Sequence, residues 1–349
     1  MTKLIFDGIT QRTVSTDRLQ ASILERPGQA GGRTIVFIHG NTSSSLFWQP
    51  TMLRLPADIH AVAIDLRGFG DSETKPVDAT RGLADFSDDV IAVVRGLGID
   101  SANFVAWSMG GGVLMQLMID APELVRSATL MAPVSPYGFG PTRRDGSLVV
   151  ADAAGSGAGG TNPDFLERMR NRDLSADAPT SPRSVYRSAY VKPGYEDEFE
   201  DVWVESMLSS KLEMGNFLGD SVPSENWPGF APGTQGLHNA MSPLYFNTSG
   251  IADIAAKPPV LWIRGTDDAI VSDASFFDVN NLGRLGAIPG WPGEELAPPQ
   301  LMVTQTRDVL DRYRETGGEV TEVILEDCGH SPQLEKPAEF DAALLAIIR

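Results

Sequence analysis

The sequence predicts a doubly wound, mostly parallel α/β sheet carrying a large insertion. Three observations lead there. Short apolar runs rich in β-branched residues alternate with stretches of helical periodicity through residues 1–133. The runs are continuous rather than alternating, as expected of strands covered on both faces. The same alternation resumes in residues 255–349, after a Gly-, Pro- and Ser-rich stretch over 134–254.

The strands come in order. Thr34 to Ile38 runs into His39-Gly40, and His60 to Leu66 runs into Arg67-Gly68. Asn103 to Trp107 ends at Ser108, and Ser127 to Met131 ends at Ala132-Pro133. Between them, Phe86, Val90, Ile91, Val94 and Leu97 recur at helical spacing. Asp85, Asp88 and Asp89 fall in the first turns, where the helix dipole favours acids. Gly110 to Asp120 reads as a further helix, closed by Ala121-Pro122. Strand and helix in alternation imply right-handed crossovers. In the last part, Pro259 to Arg264 and Glu319 to Leu325 read as strands. Leu301 to Thr316 and Pro337 to Ile348 read as helices, the last with proline at its start. An irregular insertion occupies roughly 276–299.

Residues 134–254 read as a cap or lid. Ala151 to Gly160 has the composition of a flexible loop, and Tyr195 to Met207 is an acidic amphipathic segment. The aromatic residues Trp203, Trp227, Phe230, Tyr245 and Phe246 argue against disorder.

Composition excludes several classes. With 28 basic and 46 acidic residues the net charge is -18, which disfavours nucleic acid and anionic membrane surfaces as partners. The one cysteine, Cys328, excludes an internal disulfide and a multi-cysteine zinc site. Met1 to Gln20 lacks a basic-then-apolar signal pattern, and no apolar stretch approaches the ~20 residues of a membrane helix. A cytoplasmic protein is the expectation. No acidic or histidine cluster has metal-ligand spacing, and no phosphate loop or dinucleotide fingerprint occurs, so neither metal nor cofactor is expected.

The motif that carries chemistry is Ala106-Trp107-Ser108-Met109-Gly110, between an apolar run and a helical pattern. It has the form small-x-Ser-x-Gly. A serine on a tight strand-to-helix turn needs small residues two positions to either side, where strand and helix approach closely. Other motifs accompany it: His39-Gly40, then Asp65-Leu66-Arg67-Gly68-Phe69-Gly70-Asp71-Ser72. Later come Gly265-Thr266-Asp267-Asp268-Ala269-Ile270-Val271, and Gly329-His330 followed by Glu335-Lys336-Pro337. In this set and order the sequence resembles the α/β-hydrolase family, over nearly all of the chain outside the two insertions.

The resemblance implies the α/β-hydrolase fold and a serine hydrolase with Ser108 as nucleophile, His330 as general base and an orienting acid. Of the four histidines, His39 belongs to the H-G turn, His60 starts a strand and His238 lies in the insertion; His330 follows a late strand. Asp267 and Asp268 are adjacent on one loop, and both are open as the acid. The family's register, three residues after the glycine, selects Asp268. The oxyanion would be held by backbone N–H groups of Met109 and Asn41.

The segment from His39 to Ser45 is also similar to the matching loop of haloalkane dehalogenases, which use an aspartate nucleophile followed by tryptophan. Ser108-Met109 stands in that place here. A serine alkyl ether could not be released by water attack at a carbonyl, so dehalogenation is discounted. The leading expectation is hydrolysis of a carboxylic ester or lactone, a small-molecule substrate, through an acyl-enzyme. One alternative is carbon–carbon bond hydrolysis of a diketone or dienol on the same triad, for which Arg143, Arg144 and Arg187 are candidate binding groups. Another is a non-catalytic ligand binder on the same fold. Trp107, Phe47, Trp48, Met207, Trp227 and His238 are candidate substrate contacts.

Overall fold

The computed structural model describes residues 3–29 and 31–348; Met1 and Thr2 of the N-terminal segment, Ala30 and Arg349 lie outside them. Among the described residues ten strands form: β1 Thr10–Ser15, β2 Gln20–Arg26, β3 Thr34–Ile38, β4 His60–Ile64, β5 Ala102–Trp107, β6 Val125–Met131, β7 Ser221–Pro223, β8 Phe230–Pro232, β9 Val260–Gly265 and β10 Val320–Leu325. Eight of them make one sheet in the order β1-β2-β4-β3-β5-β6-β9-β10, while β7 and β8 form a separate antiparallel pair. From β4 to β10 all neighbours are parallel. The parallel part begins at β3, moves outward to β4, then returns across β3 to β5, so the order reverses beside β3 and β5.

Chain chemistry explains the centre of the sheet. Every residue of β5, Ala102 to Trp107, is buried, as is Val125 to Met131 apart from Arg126. Apolar residues on both faces leave two hydrophobic layers. One packs against helices Ala84–Gly96, Met109–Asp120 and Met302–Glu315, around Phe86, Phe104, Leu114 and Tyr313. The other packs against helix Pro337–Ile347 and holds Phe37, Trp48, Trp107, Trp203 and Phe340. Burying a side chain of this size contributes about 1.5–3 kcal/mol before entropy is counted.

Two expectations change. The N-terminal segment, read only as lacking a signal pattern, forms an antiparallel hairpin, β1 with β2, and β2 also runs antiparallel to β4. Ala151 to Gly160 is not a loose loop. Ala153, Ala154 and Ser156 are buried, and Asp152 accepts from the Ala154 N–H and from Ser224 and Asn226 side chains. Small residues serve close packing there: a Cβ on Gly157 would come 2.3 Å from Asn239 Oδ1.

Candidate active site

Four loops meet at the carboxyl ends of β3, β5, β9 and β10. In the first, β5 stops at Trp107 and helix Met109–Asp120 begins at once, so Ser108 alone makes the turn. It does so at φ 57°, ψ -123°, a region costly for a non-glycine residue. The turn is held on both sides. Ser108 N–H donates to the Met131 carbonyl at 3.0 Å, and its carbonyl accepts from Val134 N–H at 3.0 Å. The glycine after it is needed for space: a Cβ on Gly110 would stand 2.4 Å from the His39 carbonyl oxygen.

In the second, the loop after β3 lies directly against the serine. A Cβ on Gly40 would reach 2.9 Å from Ser108 Cβ and 3.5 Å from its Oγ. His39 is a fixed strut. Its Nε2 accepts from Leu66 N–H at 3.0 Å, so Nδ1 carries the hydrogen and faces the Gly40 carbonyl at 2.7 Å. Burial pushes its pKa down to about 4, which keeps it neutral. The acidic loop after β4 completes the brace: Asp65 Oδ1 accepts from Ser45 N–H at 2.8 Å, and Arg67 is buried against Asp89 at 2.5 Å. Among the described residues, neither the Asn41 N–H nor the Met109 N–H is spent on another backbone carbonyl.

The third and fourth loops supply a paired acid and imidazole. Strands β9 and β10 pair in register from Val260 with Val320 to Gly265 with Leu325, so the loops that follow them are neighbours. His330 Nδ1 lies 2.8 Å from Asp268 Oδ2, and both side chains are 2% exposed. The other carboxylate oxygen, Oδ1, accepts from the N–H groups of Ile270 and Val271 at 2.8 and 2.9 Å. The carboxylate therefore cannot rotate, and the Nδ1–H of His330 points at its acceptor. Asp267 faces outward, 44% exposed and 3.6 Å from Lys192 Nζ. The structure thus brings Asp268, not Asp267, to the histidine.

Ser108 and His330 line the same cavity of about 630 Å³. Its walls come from Phe139, Phe165, Phe217, Phe230, Met241, Val271, Phe277 and Leu282, with backbone from Gly155 to Gly160. Among the described residues, no lysine or arginine lines it. Among the described residues, its titratable groups besides His330 are Tyr190, whose hydroxyl donates to the Asn41 and Thr42 carbonyls, Asp278, whose carboxylate caps Asn280 and Gln300 N–H groups, and His238, held neutral by burial at a pKa of about 4.

Of the substrate contacts expected from sequence, Trp107 and His238 line this cavity. Phe47, Trp48 and Met207 do not: all three are fully buried in the layer beneath, where Phe47 stacks on Trp203 at 5.0 Å. Trp227 lies away from it, its indole against Gly283 and its Nε1 donating to the Pro289 carbonyl. Arg144 and Arg187 are tied to Asp308 and Glu200 and, like Arg143, line no part of the cavity. Sequence reasoning missed Phe276, Phe277 and Val279 from the 276–299 segment, because their loop has no periodicity to place them. It also missed Tyr190, on the π-helical turn Tyr186–Tyr190.

The fold and this arrangement place the chain in a known class. The model of the alpha/beta hydrolase family matches residues 35–343, and the chain belongs to that family. Its relatives include hydrolases of several kinds. It is 28% identical over 197 residues to a 2-hydroxymuconate semialdehyde hydrolase from Pseudomonas sp. strain CF600, covering 52% of this chain and 64% of the relative. It is 39% identical over 110 residues to the dihydrolipoyllysine-residue acetyltransferase component of the acetoin cleaving system from Cupriavidus necator, covering 32% of this chain and 28% of the relative. These stretches span less than two thirds of either relative. The fold is shared with a solved carboxylesterase from Bacillus subtilis (TM-score 0.57, 17% identity, 97% of this chain and 91% of that one). It is shared also with an esterase from Rhodococcus sp. ECU1013 (TM-score 0.57, 18% identity, 97% of each chain).

Proposed function

We propose that this protein is a serine hydrolase that cleaves carboxylic esters or lactones with an uncharged, apolar acyl group. One observation carries the reading: the buried His330–Asp268 pair, 2.8 Å apart, opens onto the cavity into which the strained Ser108 turn also faces.

The roles follow from hydrogen-bonding capacity. An Asp268 carboxylate can only accept, so His330 holds its hydrogen on Nδ1 and keeps Nε2 as the base. Nε2 takes the proton of Ser108 Oγ as the oxygen attacks the ester carbonyl. The charge that develops on the carbonyl oxygen is received by the N–H groups of Asn41 and Met109, the second at a helix N-terminus, where negative charge is favoured. His330 then protonates the leaving alcohol and activates the water that frees the acid. The cap formed by residues 134–254, with the 276–299 insertion, would set acyl length, since residues of these two segments form most of the cavity wall.

Carbon–carbon hydrolysis is the second reading, favoured by the likeness to the 2-hydroxymuconate semialdehyde hydrolase. An acidic dienol substrate would be poorly received, since among the described residues no lysine or arginine lines the cavity. A series of p-nitrophenyl esters and lactones of graded length, assayed beside a vinylogous diketone with Ser108→Ala as blank, separates the two. Preferential turnover of the diketone would overturn the ester reading. Failure of Ser108 to react with a fluorophosphonate probe would favour a non-catalytic binder.

A further inference from the structure

The excursion between β6 and β9 reaches back to Asn41 and Thr42, in the loop after β3, through two side chains. Tyr190 is the first. Its hydroxyl shares one hydrogen between the carbonyls of Asn41 at 2.9 Å and Thr42 at 3.1 Å. Its own carbonyl accepts from Ser331 Oγ at 2.6 Å, one residue beyond His330. Its ring stands edge-on to those of Trp107 and His330, at 5.7 and 6.3 Å.

His238 is the second. Asn41 Oδ1 accepts from Thr42 N–H at 2.8 Å, which turns the amide Nδ2 toward His238 Nε2 at 3.2 Å. That nitrogen accepts, so Nδ1 carries the hydrogen and donates to Thr161 Oγ1 at 2.8 Å. The imidazole is backed by the Phe217 ring at 4.9 Å. The loop needs holding, because Thr42 sits at φ 46°, where a β-branched residue is strained.

We propose that Tyr190 and His238 are positioning residues for the oxyanion site, acting through Asn41 and Thr42 to fix the direction of the Asn41 N–H. This rests on the serine hydrolase reading. The capping segment then belongs to the catalytic assembly as well as to the pocket wall.

Tyr190→Phe removes the hydroxyl and keeps the ring against Trp107 and His330. The expected result is a fall in kcat on an aryl ester of roughly tenfold or more, with KM changed by less than about twofold, since a full oxyanion donor is worth about 100- to 1000-fold. Affinity for a trifluoromethyl ketone, which forms a tetrahedral adduct at the same place, falls in step with kcat/KM. His238→Phe behaves alike, and His238→Gln regains part of the loss by offering an amide oxygen in place of Nε2. A loss of folded protein alone would lower the labelled fraction without changing ketone affinity per labelled site, and that outcome overturns the inference. So do unchanged kcat and ketone affinity in both Tyr190→Phe and His238→Phe. Should Tyr190→Phe not fold, the two His238 variants decide. An absence of fluorophosphonate labelling in the unaltered protein would instead strike the underlying serine hydrolase reading.

Discussion

Asp268→Asn changes one oxygen for an NH₂, and the structure fixes which one. Oδ1 is held by the N–H groups of Ile270 and Val271, so the amide oxygen must take that place to keep both bonds. The NH₂ then faces His330 Nδ1 across 2.8 Å. It can only donate, so Nδ1 must become the acceptor and the imidazole hydrogen moves to Nε2. On the proposed mechanism, the base is then protonated on the nitrogen that should receive the Ser108 proton. A wrong-tautomer change of this kind lowers kcat by about 10⁴-fold, equal to about 5 kcal/mol in the barrier. The variant is close to isosteric, so its melting temperature should stay near that of the parent. The assay is kcat on p-nitrophenyl butyrate from pH 6 to 9, with Ser108→Ala as the floor. Activity of Asp268→Asn within tenfold of the parent would refute the tautomer reasoning. Loss of activity in Asp267→Asn with Asp268→Asn active would move the acid to the neighbouring residue.

Four further outcomes are expected. Gly40→Ala places a methyl 2.9 Å from Ser108 Cβ and should cut kcat/KM sharply in a folded protein, whereas Gly110→Ala presses on the His39 carbonyl at 2.4 Å and should lower stability by about 1–3 kcal/mol, as read by urea unfolding. His39 is depressed by burial from 6.5 to about 4, so the unfolded chain binds the extra proton first; stability is full above pH 6.5 and falls by about 3 kcal/mol as pH drops to 4. Urea midpoints equal at pH 7.5 and 4.5, after correction for carboxylate titration, would contradict it. Trp227→Ala should lower the melting temperature but leave the acyl-length preference unchanged, since its indole packs on Gly283 outside the cavity; a shifted preference in the ester series would return it to the pocket.

The central sheet was legible because its strands are buried on both faces and end in motif residues: Trp107 runs into Ser108, and Gly265 precedes the acid loop. The hairpin of β1 and β2 was not. β1 is exposed except at Val14, so no apolar run marks it, and β2 pairs by register with β1 and β4 rather than by composition. In the site, the ordered motifs of the family resemblance pointed to Ser108, Asp268 and His330, each of which follows a strand. The pocket walls were misread where burial is shared between layers. Phe47, Trp48 and Met207 look like pocket residues by type, yet each packs inside the layer that also holds Trp107 and Trp203. Ala151 to Gly160 has linker composition, but its small residues serve close approach of Phe230, Asn239 and Pro232.

The pairing of β9 with β10 has a consequence for how such a protein can be altered. One strand-to-strand step sets the separation of the carboxylate and the imidazole, whatever chain is threaded between residues 266 and 319. That connecting stretch could be exchanged, lengthened or trimmed by evolution or by an engineer to remodel the cavity, while the paired carboxylate and imidazole keep their spacing as long as the two strands stay zipped and the turns bearing Asp268 and His330 are spared.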